Sequence, residues 1–332
     1  MAILITGATG YIGSHTTVEL INKGYETVLV DNLSNSDVSV LDKIEKITGK
    51  RPKFYELDIA ILENALKIFE ENKIEAVIHF AGLKAVGESC TIPAMYYYNN
   101  IASAMAIAEA ARRHGCKKII FSSSATVYGQ PKTVPITEDF PLHTTNPYGT
   151  TKLLLENIFK DLYEYDKEWN ITLLRYFNPI GAHDSGLLGD DPNGIPNNLM
   201  PYVARVASGQ LKELNVFGND YPTPDGTGVR DYIHVIDLAL GHLAALEKMT
   251  EPGIHIFNLG TGKGVSVLEL VHAFEKVNNI KVPYVIAPRR SGDVPECFAD
   301  SSKAERELSW KAVHNIEDMC RSAWKFVQNS KK

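Results

Sequence analysis

The sequence predicts an α/β fold: a doubly wound parallel sheet joined to a smaller α/β substrate-binding domain. Three observations predict it. Short apolar runs alternate with amphipathic stretches through the first half of the chain, and apolar runs buried on both faces belong to parallel sheets. A glycine turn, Gly7-Ala-Thr-Gly10-Tyr-Ile-Gly13, stands between the first apolar run and the first amphipathic stretch. Near Tyr176 the texture changes, and Pro179, Pro192, Pro196, Pro201, Pro222 and Pro224 arrive with many Gly and Asn residues.

In order along the chain, Ile3–Thr6, Thr27–Asp31, Lys53–Leu57, Ala76–Phe80, Lys118–Ser122 and Ile171–Arg175 read as strands. Ile12–Asn22, Asp37–Thr48, Ile61–Glu71, Pro93–His114 and Asn146–Trp169 read as the helices between and after them. Right-handed crossovers then fix the topology. Regular alternation stops between Asn178 and Gly228, and long irregular segments inside compact proteins usually carry function. Helices return at Val235–Lys248, Val267–Val277 and Asn315–Gln328, with one more strand at Ile254–Leu259. The final Ser-Lys-Lys reads as a frayed end.

Composition bounds the function. The 332 residues suit about two domains or one large α/β unit. Hydrophobic residues at 44% and charged residues at 22% are ordinary for a soluble globular protein. A net charge of −6 gives no field favouring nucleic acid or anionic lipid. Any phosphate-bearing ligand must therefore be held by local donors. Cys90, Cys116, Cys297 and Cys320 show neither metal-ligand spacing nor a disulfide framework, and read as reduced thiols of a cytoplasmic protein. The first residues, Met-Ala-Ile-Leu-Ile-Thr, enter a strand at once, so no export signal is expected. No apolar run approaches the length of a membrane span.

The glycine turn follows a strand and opens a helix, the context of a Rossmann-type dinucleotide fingerprint. Gly7 permits the tight turn, Gly10 lets backbone approach a pyrophosphate, and Gly13 lets helix and strand pack closely. The spacing is two-and-two, a variant of the commonest pattern. Asp31 ends the second strand, where a carboxylate accepts from a ribose 2′-hydroxyl and repels a 2′-phosphate, which favours NAD over NADP. Asp58 ends the third strand and faces the expected adenine. Phe80-Ala81-Gly82 ends the fourth, with small residues where a nucleotide can lie, and Lys84 follows.

Ser122-Ser-Ser124 closes the fifth strand at the same carboxyl edge, where a hydroxyl can donate to a substrate oxygen. Tyr148 and Lys152 lie four residues apart and share a helix face. The ammonium is expected to lower the pKa of the phenol, which otherwise ionises near about 10. A base for a hydroxyl proton beside a nicotinamide is the apparatus of alcohol oxidation.

Gly7-x-x-Gly10-x-x-Gly13, Ser124 and Tyr148-x-x-x-Lys152 resemble the extended short-chain dehydrogenase/reductase family. Longer strings are similar to its nucleotide-sugar epimerases, and nearly span the chain. They include Asp31-Asn-Leu-Ser-Asn-Ser36, His79-Phe-Ala-Gly-Leu-Lys-Ala-Val-Gly-Glu-Ser89, Ser122-Ser-Ser-Ala-Thr-Val-Tyr-Gly129, Arg175-Tyr-Phe-Asn-Pro-Ile-Gly-Ala-His183, the stretch from Val216 to His234, and Arg289-Arg-Ser-Gly-Asp293.

The resemblance implies inversion at C4 of a UDP-hexose through transient oxidation to a 4-keto sugar. It makes Tyr148 the base, Lys152 its pKa tuner and ribose anchor, and Ser124 the group that orients the sugar hydroxyl. It implies NAD contacts at Tyr11, Ile12, Asp31, Asn32, Leu33, Ser34, Asn35, Ser36, Asp58, Ile59, Phe80, Ala81, Gly82, Leu83, Lys84, Asn99 and Phe177. UDP-sugar contacts are implied at Asn178, Asn198, Leu199, Asn215, Val216, Phe217, Arg230, Arg290 and Asp293. Guanidinium forks suit a diphosphate inside an acidic protein. Cys297 matches a position lining the hexose pocket, where a small residue implies that N-acetylated sugars are accepted too. The resemblance also implies a homodimer built on helices of the nucleotide domain.

The expected domains are an NAD-binding domain, 1–176 plus about 233–262, and a UDP-sugar-binding domain, about 177–232 plus 263–332. Two other readings compete. Dehydratases of the family resemble a pattern with Asp-Glu after the strand-five hydroxyl, but Ala125 and Thr126 stand here. A non-catalytic NAD-sensing regulator would not need the Tyr148/Lys152 pair.

Overall fold

A computed structural model of the chain describes residues 1–290 and 293–330. Ser291 and Gly292 of the Arg289–Asp293 motif, and the two terminal lysines, lie outside the described residues. The first half runs β1 (Ala2–Thr6), α1 (Tyr11–Asn22), β2 (Glu26–Asp31), α2 (Val40–Thr48), β3 (Lys53–Glu56), α3 (Leu62–Glu71), β4 (Ile74–His79), α4 (Val86–Thr91), α5 (Pro93–Arg113), β5 (Lys118–Ser124), α6 (Pro147–Tyr165) and β6 (Asn170–Tyr176). The second half runs β7 (Asn178–Ile180), α7 (Leu199–Ala207), β8 (Leu214–Phe217), β9 (Val229–His234), α8 (Val235–Lys248), β10 (Gly253–Leu259), β11 (Gly264–Ser266), α9 (Val267–Asn278), β12 (Tyr284–Ala287), β13 (Glu296–Cys297), α10 (Ser302–Leu308) and α11 (Ile316–Ser330).

Two compact units result. The first comprises Met1–Gly129, Pro141–Tyr176 and Ala239–Phe257; the second comprises Gln130–Phe140, Phe177–Leu238 and Asn258–Lys332. In the first, a seven-stranded sheet has the order β10-β6-β5-β4-β1-β2-β3. The pairings from β3 through β1 to β6 are parallel. Strand order reverses beside β1, which makes the carboxyl end of β1 and β4 the topological switch point where such sheets bind ligands. All five residues of β1 and all seven of β6 are buried, as a sheet covered on both faces requires. Leu4, Val77, Ile107, Phe121, Phe159 and Leu173 belong to its core.

The second unit pairs β9 with β7, β11 and β13, and β8 with β12. Met200, Val203, Leu270, Phe274 and Met319 form its core between α7, α9 and α11. Here the structure corrects the expectation of an irregular stretch from Asn178 to Gly228: β7, α7 and β8 all lie inside it. Pro201 is the third residue of α7, and a first helical turn tolerates proline because its N–H groups lack intrahelical partners. Helix α6 ends at Tyr165, four residues before the expected end. Asp166 is extended there, and the turn it opens leads Trp169 to a buried position before β6. Among the described residues, no helix is long and apolar enough to cross a membrane.

Candidate active site

The site is built at the carboxyl edge of the first unit's sheet. Gly7 has φ 65°, and a Cβ there would meet Ala81 N at 2.8 Å. A Cβ on Gly13 would run into the Gly7 carbonyl oxygen. These two positions therefore demand glycine, and they bring the turn after β1 against the segment after β4. The cap residue of α1, Gly10, has no side chain between the helix start and a ligand, and helix N-termini attract anions. At the end of β2, Asp31 accepts from Thr9 N at 3.1 Å, Leu33 N at 3.0 Å and Ser36 Oγ at 3.3 Å. Asp31 thus clasps the loop Asn32–Ser36 to the glycine turn. Asn32 accepts from Ser34 N, and Leu33 has φ 57°. Asp58 accepts from Ala60 N at 2.9 Å, beside buried Ile59. The helix start behind a glycine turn, the two required glycines and the carboxylate at β2 fit NAD.

The segment Phe80–Lys84 is held from α5. Asn100 accepts from Leu83 N at 2.7 Å, donates to Leu83 O at 3.1 Å, and donates to Thr151 Oγ1 at 3.0 Å. Asn99 donates to Asn100 Oδ1 at 3.2 Å. Thr151 in turn donates to the Tyr148 carbonyl at 2.7 Å. One buried amide thus ties the expected cofactor loop to α6. Sequence reading named Asn99 and missed Asn100, whose only visible signal is the Asn-Asn doublet.

Ser124, Tyr148 and Lys152 converge. Asn146 caps α6 by accepting from Gly149 N at 2.8 Å, and Pro147 fills its first position. Ser124 caps the 3₁₀ turn Ala125–Tyr128. Its Oγ accepts from Thr126 N at 3.2 Å and from Thr126 Oγ1 at 3.0 Å. With both lone pairs engaged, the Ser124 proton is left for donation, and its side chain acts to lower the pKa of the Tyr148 phenol. Thr126 is a second group that the sequence reading did not assign.

Lys152 does not bring the phenol's pKa below its ordinary value as expected. Its Nζ donates to Ser122 O at 2.7 Å and lies 5.8 Å from the Tyr148 ring centroid and 4.9 Å from that of Phe121. Burial raises the pKa of half-buried Tyr148, and the Ser124 hydrogen bond opposes that rise. The expected lowering by Lys152 is therefore corrected: desolvation wins, and the counteracting group is the serine. Burial also pushes Lys152 down to about 8. His79 is pushed down to about 3 by burial and then by the Lys152 charge. A neutral His79 adds no second charge beside the lysine.

In the second unit, Arg230 lies 3.5 Å from Asp293 Oδ1, and Arg290 Nε donates to Asp293 Oδ2 at 2.9 Å. One carboxylate thus joins two guanidiniums, leaving one net positive charge. Arg290 also stands over Phe217, 4.9 Å from the ring centroid. Asn215, Val216 and Phe217 lie on β8, and Asn178 opens β7. Asn198 precedes Leu199 at the start of α7 and donates to Asp190 at 3.4 Å. Cys297 is the register partner of Arg230, and burial pushes its thiol up to about 11. Phe177 is buried in the second unit.

A Rossmann-ordered sheet with a serine, a tyrosine and a lysine at its carboxyl edge defines a dinucleotide-dependent dehydrogenase of the short-chain type. Comparisons with known proteins narrow this. The family model described as GDP-mannose 4,6 dehydratase matches residues 4–323. The UDP-glucose 4-epimerase of Bacillus subtilis is 62% identical over 99% of this chain and 98% of its own. The crystal structure of UDP-glucose 4-epimerase from Bifidobacterium longum in complex with NAD+ and UDP matches with TM-score 0.97 and 54% identity, over 100% of this chain and 99% of that one. The UDP-Glc/GlcNAc 4-epimerase from Campylobacter jejuni matches with TM-score 0.86 and 36% identity, over 99% of both chains. The chain belongs to the extended short-chain dehydrogenase/reductase family, among its UDP-glucose 4-epimerases.

Proposed function

We infer that this protein is an NAD-dependent isomerase that interconverts UDP-glucose and UDP-galactose. The observation that carries the reading is the convergence of Ser124, Tyr148 and Lys152 where β5 ends and α6 begins, with Lys152 Nζ 5.8 Å from the Tyr148 ring centroid. NAD bound there would supply a reversible hydride acceptor for sugar C4, and the hexose would pass through a 4-keto form that takes the hydride back on either face. Tyr148 removes the 4-hydroxyl proton and later returns it. Ser124 donates to that oxygen or to the phenolate, supported by Thr126. Lys152 holds positive charge near the phenol and anchors the cofactor ribose. The glycine turn, Asp31–Ser36, Asp58, Ile59, Phe80–Lys84, Asn99 and Phe177 hold NAD in this reading. Asn178, Asn198, Leu199, Asn215–Phe217, Arg230, Arg290 and Asp293 hold UDP.

The small side chain of Cys297 supports a pocket that also takes UDP-N-acetylglucosamine and UDP-N-acetylgalactosamine. Ile92, Met95 and Tyr98 on and before α5, and Leu154 on α6, are exposed apolar residues; they support a homodimer through these helices. The cysteines Cys90, Cys116, Cys297 and Cys320 are all free, which supports a cytoplasmic setting.

The test is incubation with UDP-galactose and UDP-N-acetylgalactosamine separately, without added cofactor, with NMR of the products. Both C4 epimers are expected from both. Tyr148→Phe should abolish turnover while NAD copurifies, and retained turnover would reject its role. Cys297→Tyr should remove turnover of the N-acetyl sugars alone; equal loss on both would count against the steric reading.

A further inference from the structure

We propose that the buried ion pair of Glu156 and Arg175 is a positioning device that sets Ser124 against Tyr148. The inference rests on the reading of those two residues given above. Tyr148, Lys152 and Glu156 recur every four residues and share one stripe of α6. Ser123 and Arg175 are register partners on β5 and β6, so their side chains leave the sheet on one face.

Glu156 is fully buried and Arg175 is 1% exposed. Glu156 Oε1 accepts from Ser123 Oγ at 2.5 Å and from Arg175 Nε at 2.8 Å, and Oε2 accepts from Arg175 Nη2 at 2.6 Å. Arg175 Nη1 donates to the Tyr128 hydroxyl at 3.1 Å. Lys160 stands 4.0 Å from Oε2 on the outer side. Three pieces of chain carry or flank the reacting groups: the end of β5 with Ser124, the 3₁₀ turn that Ser124 caps, and α6 with Tyr148. All three meet at these two side chains.

A buried ion pair is often no more stabilising than apolar residues of the same volume. Its particular contribution is direction. Apolar contacts would let α6 rotate slightly about its axis, whereas three hydrogen bonds to Glu156 tie it to β5 and β6, and a fourth ties β6 to the 3₁₀ turn. Misplacement of reacting groups by about 1 Å can lower turnover on the order of a hundredfold.

The experiment replaces both partners at once, Glu156→Leu with Arg175→Met, in the NAD-loaded protein. Cooperative melting, NAD content and KM for UDP-galactose should stay as in the wild type, while kcat falls about 10- to 100-fold. Ser124→Ala should then cost less than about threefold in the double variant but about a hundredfold in the wild type, because the two changes disable one geometry. A folded double variant with wild-type kcat overturns the proposal, and so does a Ser124→Ala effect that multiplies in full. Should the double variant not fold, Ser123→Ala and Tyr128→Phe carry the test, since each deletes one hydroxyl and keeps the pair. Each should lower kcat about three- to tenfold at unchanged KM, again non-additively with Ser124→Ala. Wild-type kcat in both overturns it. A wild-type chain without turnover sinks the functional reading itself, an outcome distinct from a failure of the pair alone.

Discussion

Lys152 is 5% exposed and Arg175 1% exposed, and both serve the region around β5 and α6. Burial opposes the charge in each. For Arg175, the hydrogen bonds and charge of Glu156 overcome it, and the guanidinium is held above its ordinary value. Lys152 donates to a neutral carbonyl and is pushed down to about 8. The arginine is a fixed charge; the lysine is an adjustable one, 5.8 Å from the Tyr148 ring centroid. The difference follows from side-chain chemistry, because guanidinium stays protonated while ammonium shifts readily when buried.

Four measurements break or sharpen this contrast. Lys152→Met should lower kcat by about 10² to 10⁴, the usual range for a group acting on proton transfer, with the fold retained. Loss of less than tenfold would make the lysine structural. Arg175→Met should act on stability first, costing about 3–5 kcal/mol in urea unfolding because Glu156 is left buried and unpaired.

A pH series separates the two cations further. Unfolded Lys152 stays protonated to its ordinary 10.5, folded Lys152 only to about 8. Between those values the unfolded chain binds more protons, so stability rises with pH; below about 8 the full burial penalty is present. The NAD-free wild type should gain roughly 3 kcal/mol across that window relative to Lys152→Met. A difference that does not vary with pH would contradict the shift. The smallest effect belongs to Phe121, whose ring faces the ammonium at 4.9 Å. Phe121→Leu removes about 0.5–2 kcal/mol of cation–π attraction, so side-chain NMR should show Lys152 titrating lower still.

The two cations also differ in how far the sequence revealed them. Lys152 was legible because Tyr148-x-x-x-Lys152 is a local pattern, and the glycine turn and Asp31 were legible for the same reason. The first unit's inner strands, such as β1, β4 and β5, were legible because residues buried on both faces must be apolar in a run. Glu156 and Arg175 are separated by a turn and a strand, and a glutamate on a long helix looks like a solvated one until β6 is placed beneath it. The phenol's raised pKa was misread because spacing reveals proximity but not burial, and burial is the larger effect. Pro201 disguised α7, since proline in a first turn and proline in a loop look alike in sequence.

The polypeptide passes between the two compact units five times, after Gly129, Phe140, Tyr176, Leu238 and Phe257. Neither unit is a contiguous piece of gene. No single crossover exchanges one unit whole and leaves the other untouched. A change confined to one unit is reached most simply by substitutions within it.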